Sequence, residues 1–228
     1  MNEGENNVKE KAMWLLLLPL AVGVAATQTD YLPFKMAVPG LCALILLWAY
    51  QGQSAYRLDV TAIVLAFVFS LVGDYFLSNK SGNEIYFVVG IGMYFVAHLG
   101  YLAYAWRNGR VHRVVLGVLL LGYLIYYFVS LNPAIDDAVL SGAVLLYLLI
   151  SCLALATAAG MTLPAEQKWL YVFGIAMVVL SDTAISFNEF LGVRTFNWLI
   201  LPTYYLAHLT VSLSLLRRRQ ELAWQPAA

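Results

Sequence analysis

Long apolar segments follow one another along almost the whole chain, and charged residues fall mainly between them. A helix needs about 20 apolar residues to cross the hydrocarbon core of a bilayer. Charge, proline and glycine divide the chain into eight such segments, at about 12–28, 36–51, 58–78, 85–106, 112–131, 137–160, 167–187 and 197–216. We therefore predict an all-α, polytopic membrane helix bundle with eight transmembrane helices.

The composition excludes an ordinary soluble domain. Only 11% of the 228 residues are charged and 62% are hydrophobic, whereas a soluble domain needs roughly a quarter of charged residues to cover its surface. The formal net charge of zero argues against a nucleic-acid partner. Because the connecting loops are short, we expect residues 1–228 to form a single transmembrane domain.

The second segment is the shortest, and Val38-Pro39-Gly40 lies near its beginning. Proline is tolerated in the first turn of a helix. We therefore interpret Pro39 as part of the helix start, which leaves Lys35 just before the helix.

Lysine and arginine are distributed unequally between the two sets of loops. Ten lie on the N-terminal side: Lys9, Lys11, Arg57, Arg107, Arg110, Arg113, Lys168, Arg217, Arg218 and Arg219. Three lie on the opposite side: Lys35, Lys80 and Arg194. Because basic loops remain in the cytoplasm, we predict a multi-pass protein with both termini cytoplasmic.

Two stretches of the sequence resemble each other. The first contains FSLVGDYFLS and YFVAHLGYL, with Asp74 and His98; the second contains VVLSDTAISF and YYLAHLTVSL, with Asp182 and His208. The third and seventh segments run in the same direction, so the pattern indicates two parallel four-helix repeats related by an axis along the membrane normal.

Asp74 and Asp182 each lie about four or five residues from the outward end of an apolar segment. A lipid-exposed carboxylate there would cost several kcal/mol, so each should face the bundle interior or a wet cavity. One interpretation is a neutral carboxyl group that hydrogen-bonds helices together. The other is a catalytic pair, since two carboxyl groups in different environments can divide acid and base roles.

His98 and His208 are predicted to lie about 10 Å deeper than the aspartates, because each helical residue adds about 1.5 Å. This separation argues against a simple Asp–His dyad. Two interpretations of these histidines remain: neutral side chains that hydrogen-bond across helices, or members of a proton relay. Tyr94 and Tyr204 lie one turn outward of the histidines and are candidate supporting residues.

Other polar residues are placed near the outward ends of the helices. Lys35 precedes the second segment, where it can snorkel or bind a lipid phosphate. Ser78 and Asn79 follow the third segment, and Asn188 and Glu189 follow the seventh. We predict that these residues form the rim of a cavity.

The motifs SLVGDYFL, AHLGY and LSDTAISF, in an eight-segment chain, resemble the YhhN-like lysoplasmalogenase family over nearly the whole sequence. The resemblance implies hydrolysis of the vinyl ether bond of lysoplasmalogens, with release of a fatty aldehyde and a glycerophospho-alcohol. It implies a lysophospholipid substrate, membrane lipids as partners, a bacterial inner membrane location, and neither a metal nor another cofactor. The matching residues are Gly73, Asp74, Ser181 and Asp182, with His98 a weaker match.

The chain departs from the family pattern at two positions. Lys35 is followed by Met36, and the proline comes only at Pro39, whereas the family has Lys-Pro. In the last helix His208 stands where many relatives have glutamine. Lys35 and His208 are therefore supporting candidates rather than catalytic residues.

The chemistry of a vinyl ether suits two carboxyl groups. Protonation of its β-carbon creates an oxocarbenium-like cation, which water attacks to give a hemiacetal. One aspartate would donate the proton, and the other would stabilise the cation and activate water, as in glycoside hydrolysis. We hypothesise that Asp74 and Asp182 share these roles and that Ser181 orients Asp182.

A small-molecule or lipid transporter or binding protein that uses the same Asp and His pairs is the alternative. Such proteins usually contain discontinuous helices at mid-depth. Gly90, Gly92 and Pro202 are the candidate interruptions.

Overall fold

The computed structural model describes residues 8, 11–29 and 31–224, with side chains through Arg217. Within these ranges eight helices are long and apolar enough to cross a membrane, which confirms the predicted bundle. Lys9 and the side chains of Arg218 and Arg219, which contribute to the charge asymmetry, lie outside the described residues.

The eight predicted segments each overlap one helix. In chain order the helices are α1 Leu17–Thr29, α2 Leu32–Ala49, α3 Arg57–Ser78, α4 Glu84–Arg107, α5 Arg113–Tyr126, α6 Ala138–Ala159, α7 Ala165–Leu191 and α8 Asn197–Trp224. A π-helical turn at Tyr127–Leu131 and a 3-10 turn at Asn132–Ala134 continue α5.

Local sequence signals explain several helix ends. The side chain of Asn83 accepts a hydrogen bond of 3.0 Å from the backbone N–H of Ile85 at the start of α4. Asp137 accepts one of 2.6 Å from the N–H of Leu140 at the start of α6. These N-caps satisfy N–H groups that have no partner within the helix.

The predicted start of the second helix is wrong. Helix α2 begins at Leu32 with Pro33 in its first turn, and Pro39 lies inside the helix. Pro33 occupies the place where a missing N–H has no cost. Lys35 consequently belongs to the first turn of α2 instead of the preceding loop.

The predicted depth of Asp182 is also wrong. Helix α7 continues to Leu191, so Asp182 lies nine residues before its end, and Asp74 lies four residues before the end of α3. The polar residues near the end of α7 do not interrupt it. Gly192, with a positive φ of 65°, ends the helix.

The helix contacts follow the predicted repeat in part. Helices α3 and α4 form one extensively packed pair, and α7 and α8 form the other. Helix α4 packs on α6, and α8 packs on α2. If a unit of four helices is repeated, these two contacts are equivalent. Helix α1 also packs on α8, whereas α5 packs mainly on α6 and is the least buried span. The duplication remains a prediction that this pattern favours.

Glycines allow the two main helix pairs to approach closely. A Cβ atom on Gly100 would lie 2.6 Å from the carbonyl oxygen of Ala62, on α3. A Cβ atom on Gly174 would lie 2.7 Å from Val211 Cγ2, on α8. Small residues at such contacts permit the van der Waals packing that holds membrane helices together.

Candidate active site

A polar cleft opens at the end of the bundle where α3 and α7 end and α2 and α8 begin. It has an empty volume of about 980 Å³, and both Asp74 and Asp182 line it. Lys35, Tyr94 and Tyr204 also line the cleft. The structure therefore brings both predicted aspartates, with four of the predicted supporting residues including Ser181, to one cavity.

Asp74 accepts hydrogen bonds from two tyrosines. Tyr94, on α4, donates its hydroxyl hydrogen to Oδ1, and Tyr204, on α8, donates to Oδ2 across 3.0 Å. Only 8% of Asp74 is exposed, and Lys35 acts on it electrostatically. Two donors, one for each oxygen, satisfy a carboxyl group at this depth.

Gly73 makes the contact between Tyr94 and Asp74 possible. A Cβ atom at position 73 would lie 2.8 Å from Tyr94 Cε2, closer than packed carbon atoms can approach. The tyrosine ring therefore lies directly against the backbone of α3. This is a physical reason for the Gly-Asp pair of the motif.

Asp182 has a different set of neighbours. Tyr147, on α6, donates a hydrogen bond of 2.8 Å to Asp182 Oδ2. His98 Nε2 lies 3.4 Å from the same oxygen, although it makes no hydrogen bond. The side chain of Asp182 is 17% exposed.

The contact between His98 and Asp182 contradicts the predicted depth separation for this pair. The two residues belong to different copies of the predicted repeat, and the contact joins α4 to α7. Because α7 is longer than predicted, Asp182 lies further from its helix end, and His98 reaches it. His98 Nδ1 lies 3.0 Å from the carbonyl oxygen of Tyr94.

His208 does not reach the cleft, although its sequence motif matches that of His98. It is fully buried, and its ring packs on Phe67 and Tyr204 with centroid distances of 4.8 and 4.4 Å. Its Nδ1 lies 2.8 Å from the carbonyl oxygen of Tyr204. These contacts give His208 a packing role behind Tyr204.

Ser181 does not orient Asp182 as predicted. Its hydroxyl donates a hydrogen bond of 3.0 Å to the carbonyl oxygen of Ile200 and joins α7 to α8. Ser181 lines the cleft nevertheless. Its hydroxyl serves helix packing because the Ile200 carbonyl on α8 supplies an acceptor.

Only some of the predicted rim residues line the cleft. Ser78 and Glu189 line the cleft. Asn79 instead donates a hydrogen bond of 2.7 Å to the carbonyl oxygen of Tyr75, and Asn188 donates one of 2.9 Å to Glu189. Neither asparagine lines the cleft, so their effect on it is indirect.

Two features of the site were missed by the sequence reasoning. Lys80 and Glu189 form an ion pair that joins the α3–α4 loop to α7 at the cleft mouth. Tyr147 lies in neither copy of the repeated motif, and this chain has fifteen tyrosines. No local signal distinguishes Tyr147, because its role depends on the packing of α6 against α7.

Residues 32–215 match the YhhN family. The chain belongs to this family. The matched region of this YhhN-family chain contains Lys35, Asp74, Tyr147 and Asp182 as well as His98 and His208. Within the residues that the structure describes, no group of three or more His, Cys, Asp or Glu side chains could hold a metal ion.

The YhhN-family chain is similar to curated proteins named lysoplasmalogenase TMEM86A. It is 29% identical to the protein of Homo sapiens over 195 residues, which cover 80% of this chain and 77% of the relative. It is 29% identical to the protein of Bos taurus over 190 residues, with the same coverage of each chain. No solved structure matches the chain.

Proposed function

We propose that this membrane protein is a lysoplasmalogenase that hydrolyses the vinyl ether bond of a lysophospholipid, releasing a fatty aldehyde and a glycerophospho-alcohol. The names of the human and bovine relatives support this activity. The observation that carries the mechanism is that Asp74 and Asp182 line the same cleft. Ionisable residues within membrane helices are functional candidates because their burial is costly.

The two carboxyl groups divide the reaction between them. One gives a proton to the β-carbon of the vinyl ether, and the π electrons form the new C–H bond. The other stabilises the resulting cation and takes a proton from the water that bonds to the adjacent carbon. The hemiacetal then gives its hydroxyl proton to one carboxylate and breaks its bond to the glycerol oxygen, which takes a proton from the other carboxyl group, as in hydrolyses that pass through related oxocarbenium ions.

The transporter alternative receives less support from the helices. Helix α4 continues through Gly90 and Gly92, and α8 continues through Pro202. Transporter sites are typically built from broken helices whose ends bind the substrate. The candidate interruptions therefore do not provide such ends.

The unequal distribution of lysine and arginine between the loops indicates the membrane face on which the cleft opens. Lys35 and Lys80 line the cleft, and the sequence places both on the side with fewer basic residues. We infer that the cleft opens away from the cytoplasm of a bacterial inner membrane, on the face opposite the two termini.

The proposal is tested with purified protein in detergent, where hydrolysis survives and transport cannot be observed. Asp74→Asn and Asp182→Asn should each abolish aldehyde release from a lysoplasmalogen while the protein stays folded. Asp59→Asn is the matched control, since Asp59 pairs with Arg107 across 2.7 Å and does not line the cleft. Near-normal turnover in either cleft variant contradicts the two-aspartate mechanism.

A further inference from the structure

Asp182 lies where three cavities meet. It lines the polar cleft, an apolar pocket with an empty volume of about 470 Å³ between α4, α6 and α7, and a third pocket of about 410 Å³ beside α5. Asp74 lines the polar cleft but neither of the other two pockets. The two aspartates therefore differ in which compartments they face.

The polar cleft and the apolar pocket have linings of opposite character. Lys80, Glu189 and Asn197 bring charge and amide groups to the cleft. Most of the apolar pocket is lined by side chains such as Phe87, Ile91, Val144 and Phe190. An amphiphile that spans both compartments would put its hydrocarbon chain in the pocket, because removal of apolar surface from water is favourable.

We propose that the apolar pocket binds the alkenyl chain of the substrate, so that Asp182 is the proton donor and Asp74 is the base that activates water. This inference rests on the proposed function. In a vinyl ether the ether oxygen leads to the glycerol and head group, and C2 is the first carbon on the chain side. With the chain in the pocket, C2 lies at Asp182, and C1 faces the polar cleft.

The hydrogen bonds around the two aspartates support the same assignment. Asp74 accepts from two hydroxyl groups, those of Tyr94 and Tyr204, which suits an anion. Among the residues that the structure describes, Tyr147 is the one that donates a hydrogen bond to Asp182. The 3.0 Å contact with the Tyr94 carbonyl assigns the imidazole proton of neutral His98 to Nδ1.

His98 Nε2 therefore presents a lone pair toward Asp182 Oδ2, at 3.4 Å. A lone pair suits a carboxylic acid, which has a hydrogen to share, better than a carboxylate. His98 and Tyr147 are thus positioning residues for Asp182.

The proton transfers balance over one turnover. Asp182 gives its proton to C2 and becomes a carboxylate, while Asp74 takes a proton from the water that bonds to C1. In the collapse of the hemiacetal, Asp74 returns its proton to the departing glycerol oxygen. The hemiacetal hydroxyl proton passes to Asp182, which restores both groups and releases the aldehyde.

The placement of the chain is tested at Ile91, which lines the apolar pocket but not the polar cleft. Ile91→Trp should lower turnover of a long-chain lysoplasmalogen about tenfold or more, because overpacking the pocket excludes the chain. A short-chain analogue should lose much less. Ile91→Ala should shift the preference toward longer chains. Val88→Trp is the matched control on the lipid-facing side of α4, where Val88 is 48% exposed.

Equal losses for long and short chains in Ile91→Trp, with no shift in Ile91→Ala, overturn the placement and leave the proposed function intact. If the unmodified protein releases no aldehyde from either substrate, the proposed function fails, and the assignment fails with it.

Adding azide separates the role of proton donor from the role of base, because azide attacks a cation without needing a base. In Asp74→Ala, Asp182 should still protonate C2, and azide should bond to C1 to give an azido ether that mass spectrometry detects. In Asp182→Ala no cation forms, so no adduct is expected. An adduct in Asp182→Ala, with or without one in Asp74→Ala, overturns the assignment.

Discussion

The Tyr147 hydroxyl donates a hydrogen bond of 2.8 Å to Asp182 Oδ2, which joins α6 to α7 where the polar cleft meets the apolar pocket. The ring of the same tyrosine packs on His98, with centroids 5.0 Å apart. Tyr147 therefore positions both Asp182 and His98, which approach each other from α7 and α4.

Tyr147→Phe keeps the ring and removes the hydroxyl. Asp182 becomes a carboxylate when it gives up its proton, and a hydrogen bond to a charged group contributes about 1.5–3 kcal/mol. We expect turnover to fall about ten- to a hundredfold, measured as aldehyde release, while the thermal unfolding temperature changes little.

Tyr123→Phe is the control for this change. The Tyr123 hydroxyl lies 2.8 Å from Thr183 Oγ1, also on α7, and it contacts no carboxyl group. Equal losses of turnover in the two variants would show that Tyr147 only holds α7 in place.

The two histidines of the repeated motif should differ in their importance. His98→Gln replaces the imidazole lone pair beside Asp182 with a flexible amide group, so we expect at least about tenfold lower turnover, equivalent to 1.4 kcal/mol. His208→Gln should leave turnover within a few-fold of normal once folded protein is compared, since His208 contacts neither aspartate. A larger loss of turnover in His208→Gln than in His98→Gln would contradict this distinction.

Gly73→Ala should displace the Tyr94 ring and break its hydrogen bond to Asp74. Overpacking of this kind typically costs about 1–3 kcal/mol of stability, and we expect aldehyde release to fall as well. Differential scanning calorimetry and activity assays on the same preparation measure both effects.

Gly92→Ala, on α4, is the matched control, because a Cβ atom there meets nothing within 4 Å. It should be neutral or slightly stabilising, since alanine favours helix over glycine. If Gly73→Ala behaves like Gly92→Ala, the tight contact with Tyr94 is not what requires glycine.

Some of the site follows from local sequence. Asp74 and Asp182 were identified because ionisable groups within apolar segments are rare and costly. Tyr94 and Tyr204 were identified because they lie one turn outward of the two motif histidines. The motif around His98 was identified too, but the same pattern selected His208, which packs behind the site. Local sequence placed both histidines on a helix at similar depth and did not distinguish their neighbours.

The sequence by itself determined the number of helices and the paired aspartates, because helix length and hydropathy are properties of each segment alone. Only the tertiary structure decided that Tyr147 contacts Asp182, that His98 approaches Asp182 from α4, and that Ser181 bonds to Ile200 instead. The physical reason is that lipid and the helix interfaces are both apolar. The pattern along a membrane helix therefore says little about which face is buried or which partner it meets.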